Sequence, residues 1–128
     1  TIVSEPVRSI IEELEPDVHQ MFPLPVMQPR KEEAFEHVYM LNVCNRIDAL
    51  NHEESHLNWK FREDGSPAYC MAESISSAQF AVNNAVVAGI NLWFDKWHPS
   101  VCFCSDDFRD AIVSRKYRHA KFTEVIEV

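Results

Sequence analysis

The stretch that decides the fold lies near the end of the chain and reads Val101-Cys102-Phe103-Cys104-Ser105-Asp106-Asp107-Phe108-Arg109-Asp110-Ala111-Ile112. Its first four residues have the composition of a β-strand. Ser105 follows at the position of a helix N-cap, where a serine oxygen accepts a hydrogen bond from a free N–H group of the first turn. Asp106 and Asp107 then lie at the positive end of the helix dipole. The stretch therefore predicts a strand that leads into a capped helix, whose buried face is formed by Phe108, Ala111 and Ile112.

A similar unit opens the chain. Apolar residues precede Ser4, which is followed by an acid and by Pro6, a residue that fits the first helical turn because its missing N–H has no partner there. The helical face that follows is formed by Val7, Ile10, Ile11 and Leu14. A strand-like run comes after each helix, residues 18–28 in the first unit and 122–128 in the second. The sequence thus predicts similar helix–strand units at both ends.

Strand-like patterns fill the middle of the chain. Residues 35–44 alternate with period two, and residues 45–51 are expected to leave this strand as a turn. Residues 57–61 predict an outer strand that turns at the hairpin-like sequence 63–67 and returns along residues 68–75.

The remaining middle segments are less uniform. Residues 76–89 fit either helix or strand, residues 90–94 are strand-like, and residues 95–100 read as a loop. Pro23 and Pro25 restrict the run 18–28 to a sheet edge or a strap, since proline cannot donate to a strand ladder. We therefore expect an α+β fold: a single mixed domain, residues 1–128, with a largely antiparallel sheet and a few helices.

The composition of the chain limits the classes of function that it can have. With only two glycines, a glycine-rich phosphate loop is not expected, and no apolar run approaches the roughly 20 residues of a membrane span. The net charge of −8 disfavours nucleic-acid binding and suits a basic partner. We expect no cofactor, no nucleic acid and no membrane. The four cysteines favour a reducing, cytoplasmic setting, and we expect Cys102 and Cys104 to be small buried hydrophobes.

Two metal sites are alternatives. His52-Glu53-Glu54-Ser55-His56 matches the His-Glu-x-x-His pattern of zinc hydrolases, in which two histidines one helical turn apart share the metal and the glutamate activates water. The surrounding residues are polar and strand-like residues follow at once, which disfavours the long helix that this chemistry needs. A structural zinc held by Cys70, Cys102, Cys104 and a histidine lacks the usual two-pair spacing. We expect no metal.

Three parts of the sequence resemble the immunity protein eleven family of bacterial polymorphic toxin systems. The first is Tyr39-x-Leu41-Asn42-Val43, followed by Ile47-Asp48-Ala49-Leu50 and Ser55. The second is Gly89-Ile90-x-Leu92-Trp93. The third is Cys104-Ser105-Asp106-x-Phe108-x-x-Ala111-Ile112 with a late Phe122.

This resemblance implies a protein that binds a cognate toxin domain and blocks it without chemistry of its own. It also implies structural roles for Asp48 and Ser55, which would brace a loop, and for Ser105. A scaffold domain with another partner is the remaining alternative.

The charge pattern adds a prediction about where a basic toxin would bind. Acids cluster in three places: Glu12, Glu13, Glu15 and Asp17; then Glu32, Glu33 and Glu36; then Glu53, Glu54, Glu63 and Asp64. The last group lies in the middle loops beside Trp59, with Trp97 expected nearby as a second aromatic anchor. Trp93, inside an apolar strand, is expected in the core, and His98 is expected to be a loop residue. The predicted toxin-binding residues are Glu53, Glu54, Trp59, Glu63, Asp64 and Trp97.

Overall fold

The computed structural model describes residues 1–27, 34–35, 37–75, 78–117 and 120–128. The helices are α1 (Glu5–Leu14), α2 (Asn84–Val87) and α3 (Asp106–Ser114). The strands are β1 (Ile2–Ser4), β2 (Gln20–Pro23), β3 (Val26–Met27), β4 (Ala34–Phe35), β5 (Val38–Asn42), β6 (Arg46–Ile47), β7 (Asn58–Phe61), β8 (Pro67–Met71), β9 (Ala81–Val82), β10 (Leu92–Asp95), β11 (Cys102–Cys104) and β12 (Ile126–Glu127). The expected α+β class is confirmed.

Two three-stranded sheets carry the helix–strand units. One has the order β1-β5-β2 and is antiparallel throughout. The other has the order β11-β10-β6, in which β10 runs antiparallel to β11 and parallel to β6. In each sheet an edge strand leads directly into a helix, β1 into α1 and β11 into α3, and these two helices pack against each other. The strand after each helix differs, because β2 joins the sheet of β1 whereas β12 pairs with β9.

The buried apolar residues form two clusters. The first lies between the two helices and the sheets, and its members are Ile10, Ile11, Leu41, Val43, Leu92, Phe108 and Ile112. The second lies beneath the hairpin and β9, and its members are Ala49, Leu50, Cys70, Phe80, Val82, Trp93 and Phe103. The helical faces predicted from the spacing of apolar residues thus supply the first cluster. Trp93 is buried as expected and its ring stacks on Phe103 with centroids 5.7 Å apart.

Three strand predictions hold. In the proline-containing run, β2 is an edge strand in which Pro23 lies opposite Tyr39, and β3 pairs with β4 in a separate two-stranded sheet. The hairpin β7–β8 is present, and Gly65 at its turn has a φ of +80°, a conformation that glycine adopts without steric cost. The strand expected near residues 90–94 is β10, which extends one residue further to include Asp95.

Other boundaries differ from the prediction. The strand expected over residues 35–44 is broken at His37, whose φ of +86° turns the chain, so that β5 begins at Val38. The segment expected as a turn after it contains β6, because Phe94 and Lys96 donate backbone hydrogen bonds to Asn45 and Ile47.

The segment that fitted either helix or strand has both. It supplies β9 and α2, while residues 76–77 lie outside the described residues. The acids Glu32, Glu33 and Glu36 also lie outside the described residues.

Cys102 is exposed rather than buried, because Phe103 turns inward on β11. Within the described ranges, none of the helices has the length and apolar character needed to cross a bilayer.

Candidate partner-binding surfaces

The predicted toxin-binding residues belong to a surface that we call the middle-loop surface, residues 51–66 together with Trp97. Its first acids are held by a turn in which the side-chain oxygen of Asn51 accepts hydrogen bonds from the N–H groups of Glu53 at 2.9 Å and Glu54 at 3.0 Å. Asparagine favours such turns because its short side chain reaches its own backbone neighbours. Both glutamate side chains therefore project from a fixed turn into solvent.

The second pair of acids, Glu63 and Asp64, lies at the exposed turn of the β7–β8 hairpin. Asp64 accepts hydrogen bonds from the hydroxyl of Ser66 at 2.6 Å and from its N–H at 2.9 Å. These two bonds, with the hydroxyl the larger cause, hold the pKa of the Asp64 carboxyl below its ordinary value. Asp64 thus keeps its negative charge at neutral pH while sharing its oxygens with the turn.

Trp59 is half-buried on β7. It lies opposite Cys70, packs against the second core cluster and meets the His52 ring edge-to-face with centroids 6.1 Å apart. Its Nε1 donor is buried and has no hydrogen-bond partner among the described residues. One part of the Trp59 ring therefore packs against the core beneath the hairpin, and the other part is accessible on the middle-loop surface.

Trp97 is also half-buried, and the fold brings it against the hairpin through a 3.0 Å hydrogen bond from the N–H of Cys70 to its carbonyl oxygen. Its indole Nε1 donates to Asp48 at 2.6 Å. Two cations lie over its ring, Lys96 at 4.5 Å and Arg62 at 6.0 Å from the centroid. The immediate neighbours of Trp97 therefore include both signs of charge.

The three residues to which the resemblance gave structural roles have the following contacts. Asp48 is exposed and binds Trp97 and, at 3.6 Å, Lys96. Ser55 is buried, and its hydroxyl accepts from the N–H of Ala81 at 3.0 Å and donates to the carbonyl of the same residue at 3.2 Å. The Ser55 bonds attach the acidic turn to β9. The third residue, Ser105, accepts from the N–H of Phe108 at 3.1 Å.

Asp95 is a buried carboxylate that sequence reasoning missed, since it was placed in a loop. It is fully buried, and it accepts backbone hydrogen bonds from Ala49 and Leu50 at 2.9 Å each and from Trp97 at 2.7 Å. A buried carboxylate is stable only when such donors replace its water. Asp95 thereby fixes the loop that carries Asp48 against the backbone of Trp97. The sequence feature that could have predicted this burial is the position of an acid directly after the apolar residues of a strand.

A second polar cluster was also missed. Glu15, which the sequence placed in a surface cluster of acids, is buried and lies 2.6 Å from Nε2 of the buried His19. The N–H of Cys44 donates to Nδ1 of this histidine at 3.1 Å, so the ring proton belongs on Nε2, where it is donated to Glu15. Glu15 therefore cannot contact a partner. Glu13 and Asp17 of the same cluster are exposed.

The geometry disfavours the zinc-hydrolase alternative. His52 and Glu53 lie in a turn, and His56 forms a β-bridge with Gln79, so the two histidines do not share a helix face. In the part of the chain that the structure describes, no three histidine, cysteine or acidic side chains are grouped so that they could hold a metal. His98 lies in a loop as expected, where its ring is buried against Phe80.

Exposed carboxylates on fixed turns beside half-buried tryptophans define a candidate protein-binding domain. The chain belongs to the immunity protein family Imm11, whose family model matches residues 1–127. No curated protein and no solved structure matched the chain. Membership of this family supports an immunity role for the chain.

Proposed function

We propose that the protein neutralises a cognate toxin domain of a bacterial polymorphic toxin system by binding to it in the cytoplasm, without chemistry or a cofactor of its own. The observation that carries this proposal is the match of an immunity protein family along residues 1–127. The match extends over nearly the whole chain, so the family assignment does not depend on a short motif.

The charge of the protein supports a basic toxin as the partner. The net charge is −8, and Glu53, Glu54, Glu63 and Asp64 are all exposed on the middle-loop surface. Toxins that act on nucleic acids or nucleotides need positive charge around their anionic substrates. An acidic surface attracts such a cleft over distance and raises the rate of encounter.

The two tryptophans supply the lasting part of the affinity. The indole of Trp97 donates a hydrogen bond to the side chain of Asp48, and its backbone N–H donates one to the side chain of Asp95. The Trp97 side chain therefore has little conformational freedom to lose on binding. Trp59 is fixed by the hairpin and the second core cluster. Rigid aromatic side chains of this kind dominate the energy of many protein interfaces.

Co-expression with the toxin encoded by the adjacent gene tests the proposal. We expect the two proteins to co-purify as a complex and the cells to survive induction of the toxin. The control is a variant in which Trp59 and Trp97 are both replaced by alanine, checked for folding by circular dichroism. Death of cells that contain folded, unmodified protein, together with the absence of a complex, would contradict the proposed function.

A further inference from the structure

A large groove shares no lining residue with the middle-loop surface. It has a volume of about 960 Å³ and is lined by β11, by the start of α3 and by the C-terminal segment 121–127. The groove also reaches Trp93 and Phe103 of the second core cluster. Its volume is at the upper end of the range of about 300–1,000 Å³ for small-ligand pockets, which leaves room for a polypeptide segment.

The backbone of β11 offers a free edge to this groove. The N–H of Ser105 donates to the carbonyl of Asn91, and Trp93 lies opposite Phe103, so alternate residues of β11 point their polar groups toward β10. The N–H and C=O groups of Cys102 and Cys104 therefore point the other way. Within the described residues no strand pairs with this edge. Unpaired edges of this kind accept an added strand.

The C-terminal segment offers a second free edge. Ile126 and Val128 donate their N–H groups to Phe80 and Val82 of the β9 region. Val125 and Glu127 alternate with these two residues, so their backbone groups point away from β9. Val125 and Glu127 line the groove, whereas Ile126 does not. Strand edges thus occur in two of the segments that line the groove.

The charge of the groove indicates the chemistry of the occupant. The acids that line the groove are Asp106, Asp107, Glu124 and Glu127, and its cations are Arg109 and Lys121. Arg109 is already paired with Asp106 and Asp110 at 2.8 Å each, so the groove keeps an excess of negative charge. Trp93, which is 4% exposed, has an indole Nε1 donor without a hydrogen-bond partner in the described ranges. An occupant of the groove would not reach this buried donor, but one that carries positive side chains would match the excess of negative charge.

We propose that this groove binds an extended, basic segment of the toxin, which adds as a strand to the free edge of β11. The identity of the partner rests on the proposed function, whereas the preference of the groove for an extended basic segment does not. Backbone hydrogen bonds to Cys102 and Cys104 supply the affinity, and positive side chains meeting Asp107 and Glu124 supply the selectivity.

The first test needs no toxin. A short, fluorescently labelled peptide of alternating arginine and valine is titrated into the full chain at low salt, beside a glutamate–valine peptide and an arginine–valine peptide whose alternate backbone nitrogens are methylated. We expect only the first peptide to bind, with slowed amide exchange at Cys102 and Cys104. Equal binding of the methylated or the acidic peptide, or unchanged exchange at β11, would overturn the proposal.

Charge reversal provides the matched comparison. The variant Asp107→Lys, Glu124→Lys should bind the arginine–valine peptide about 10-fold more weakly, since two favourable charge contacts are replaced by repulsion. The variant Glu12→Lys, Glu73→Lys changes the net charge equally but lies outside both the groove and the middle-loop surface, and it should bind as the unmodified protein does. Equally weakened peptide binding in both variants would show that net charge alone attracts the peptide. The groove would then not be the binding site.

The toxin itself separates this inference from the proposed function. Amide exchange is compared between the free protein and the complex with the toxin from the adjacent gene. Protection of β11 on complex formation supports the inference. A stable complex that leaves β11 unprotected overturns the groove as the toxin site and leaves the immunity function intact, whereas the absence of any complex counts against the proposed function and against the toxin as the occupant.

Discussion

Glu15 and Asn91 are 76 residues apart in the chain, and the backbone N–H of Asn91 donates a 2.9 Å hydrogen bond to the Glu15 carboxylate. The side-chain oxygen of Asn91 in turn accepts a 2.7 Å hydrogen bond from Ser105. Glu15 caps the end of α1 and Ser105 caps the start of α3, so these bonds join the first and last helix–strand units. Packing of α1 on α3 and this polar chain therefore fix the same interface.

Replacing Glu15 by alanine should lower the free energy of unfolding by about 3 kcal/mol, because the buried His19 and the N–H of Asn91 lose their acceptor. Chemical denaturation at neutral pH measures the change. The matched control is Glu12→Ala on the same helix, which should cost under about 0.5 kcal/mol since Glu12 is only half-buried and its site keeps access to water. Equal costs for the two variants would show that the carboxylate of Glu15 does not join the units.

Asp95→Asn should destabilise the fold by about 2–4 kcal/mol. The amide keeps the shape of the carboxylate, but its NH₂ group would face one or more of the three backbone N–H donors from Ala49, Leu50 and Trp97. Thermal unfolding followed by circular dichroism provides the measurement.

The comparison for Asp95 is Asp48→Asn in the adjoining loop. This substitution keeps an acceptor for Trp97 and removes only an exposed ion pair with Lys96, so it should cost at most about 1 kcal/mol. If the two asparagine variants unfold at the same temperature, Asp95 is not the brace that its three hydrogen bonds suggest.

Ser105 and Ser4 are a matched pair of N-cap residues. Ser105 accepts a hydrogen bond from the N–H of Phe108, whereas the side chain of Ser4 makes no capping hydrogen bond. Ser105→Ala should therefore cost about 1 kcal/mol of stability, and Ser4→Ala clearly less. Unchanged stability of Ser105→Ala, accompanied by lost toxin binding, would instead make Ser105 a contact residue.

The features that the sequence predicts well are those that depend on neighbouring residues. The capping position of Ser105 follows from the strand before it and the helical spacing after it, and the β7–β8 hairpin follows from the turn residues that include Gly65. These elements need no information about distant parts of the chain. The residues within each element are therefore enough to predict it.

The features that the sequence did not predict depend on pairings across the chain. The parallel pair of β6 and β10 joins segments about 48 positions apart, and its short strand β6 has no alternating pattern of its own. The burial of Asp95 depends on donors that a loop 45 residues earlier in the chain supplies. His37 adopts a positive φ that its residue type does not require. For the candidate site, the acids could be found from the sequence, but the position of Arg62 over the Trp97 ring could not.

Burial and, secondarily, the nearby charge of Asp95 raise the pKa of the Cys70 thiol to about 12. A raised pKa favours the unreactive thiol, so at pH 8 only about one molecule in 10⁴ carries the thiolate. Iodoacetamide at that pH should therefore modify the exposed Cys44 quickly and Cys70 only after the chain unfolds. Mass spectrometry of tryptic peptides measures both rates, and similar rates in the folded protein would contradict the burial of Cys70.

The association rate with the toxin should depend strongly on salt and on the acids of the middle-loop surface. Attraction between opposite charges raises association by about 10- to 1000-fold at low salt, and salt screens it beyond about 10 Å at 0.1 M. Neutralising Glu53, Glu54, Glu63 and Asp64 should therefore slow association about 10-fold and flatten its salt dependence. The rate of dissociation should change less, because we propose that Trp59 and Trp97 supply the lasting contacts of the complex. Stopped-flow fluorescence at low and high salt measures both rates.

The control removes the same number of negative charges elsewhere, by neutralising Glu12, Glu13, Asp17 and Asp110. If the position of the acids matters, this variant should keep a faster association rate than the middle-loop variant at every salt concentration, since steering depends on the potential at the interface. Equal slowing of the two variants would mean that net charge alone draws the toxin in. An association rate that does not depend on salt concentration, or unchanged affinity of the middle-loop variant, would show that this surface is not part of the interface.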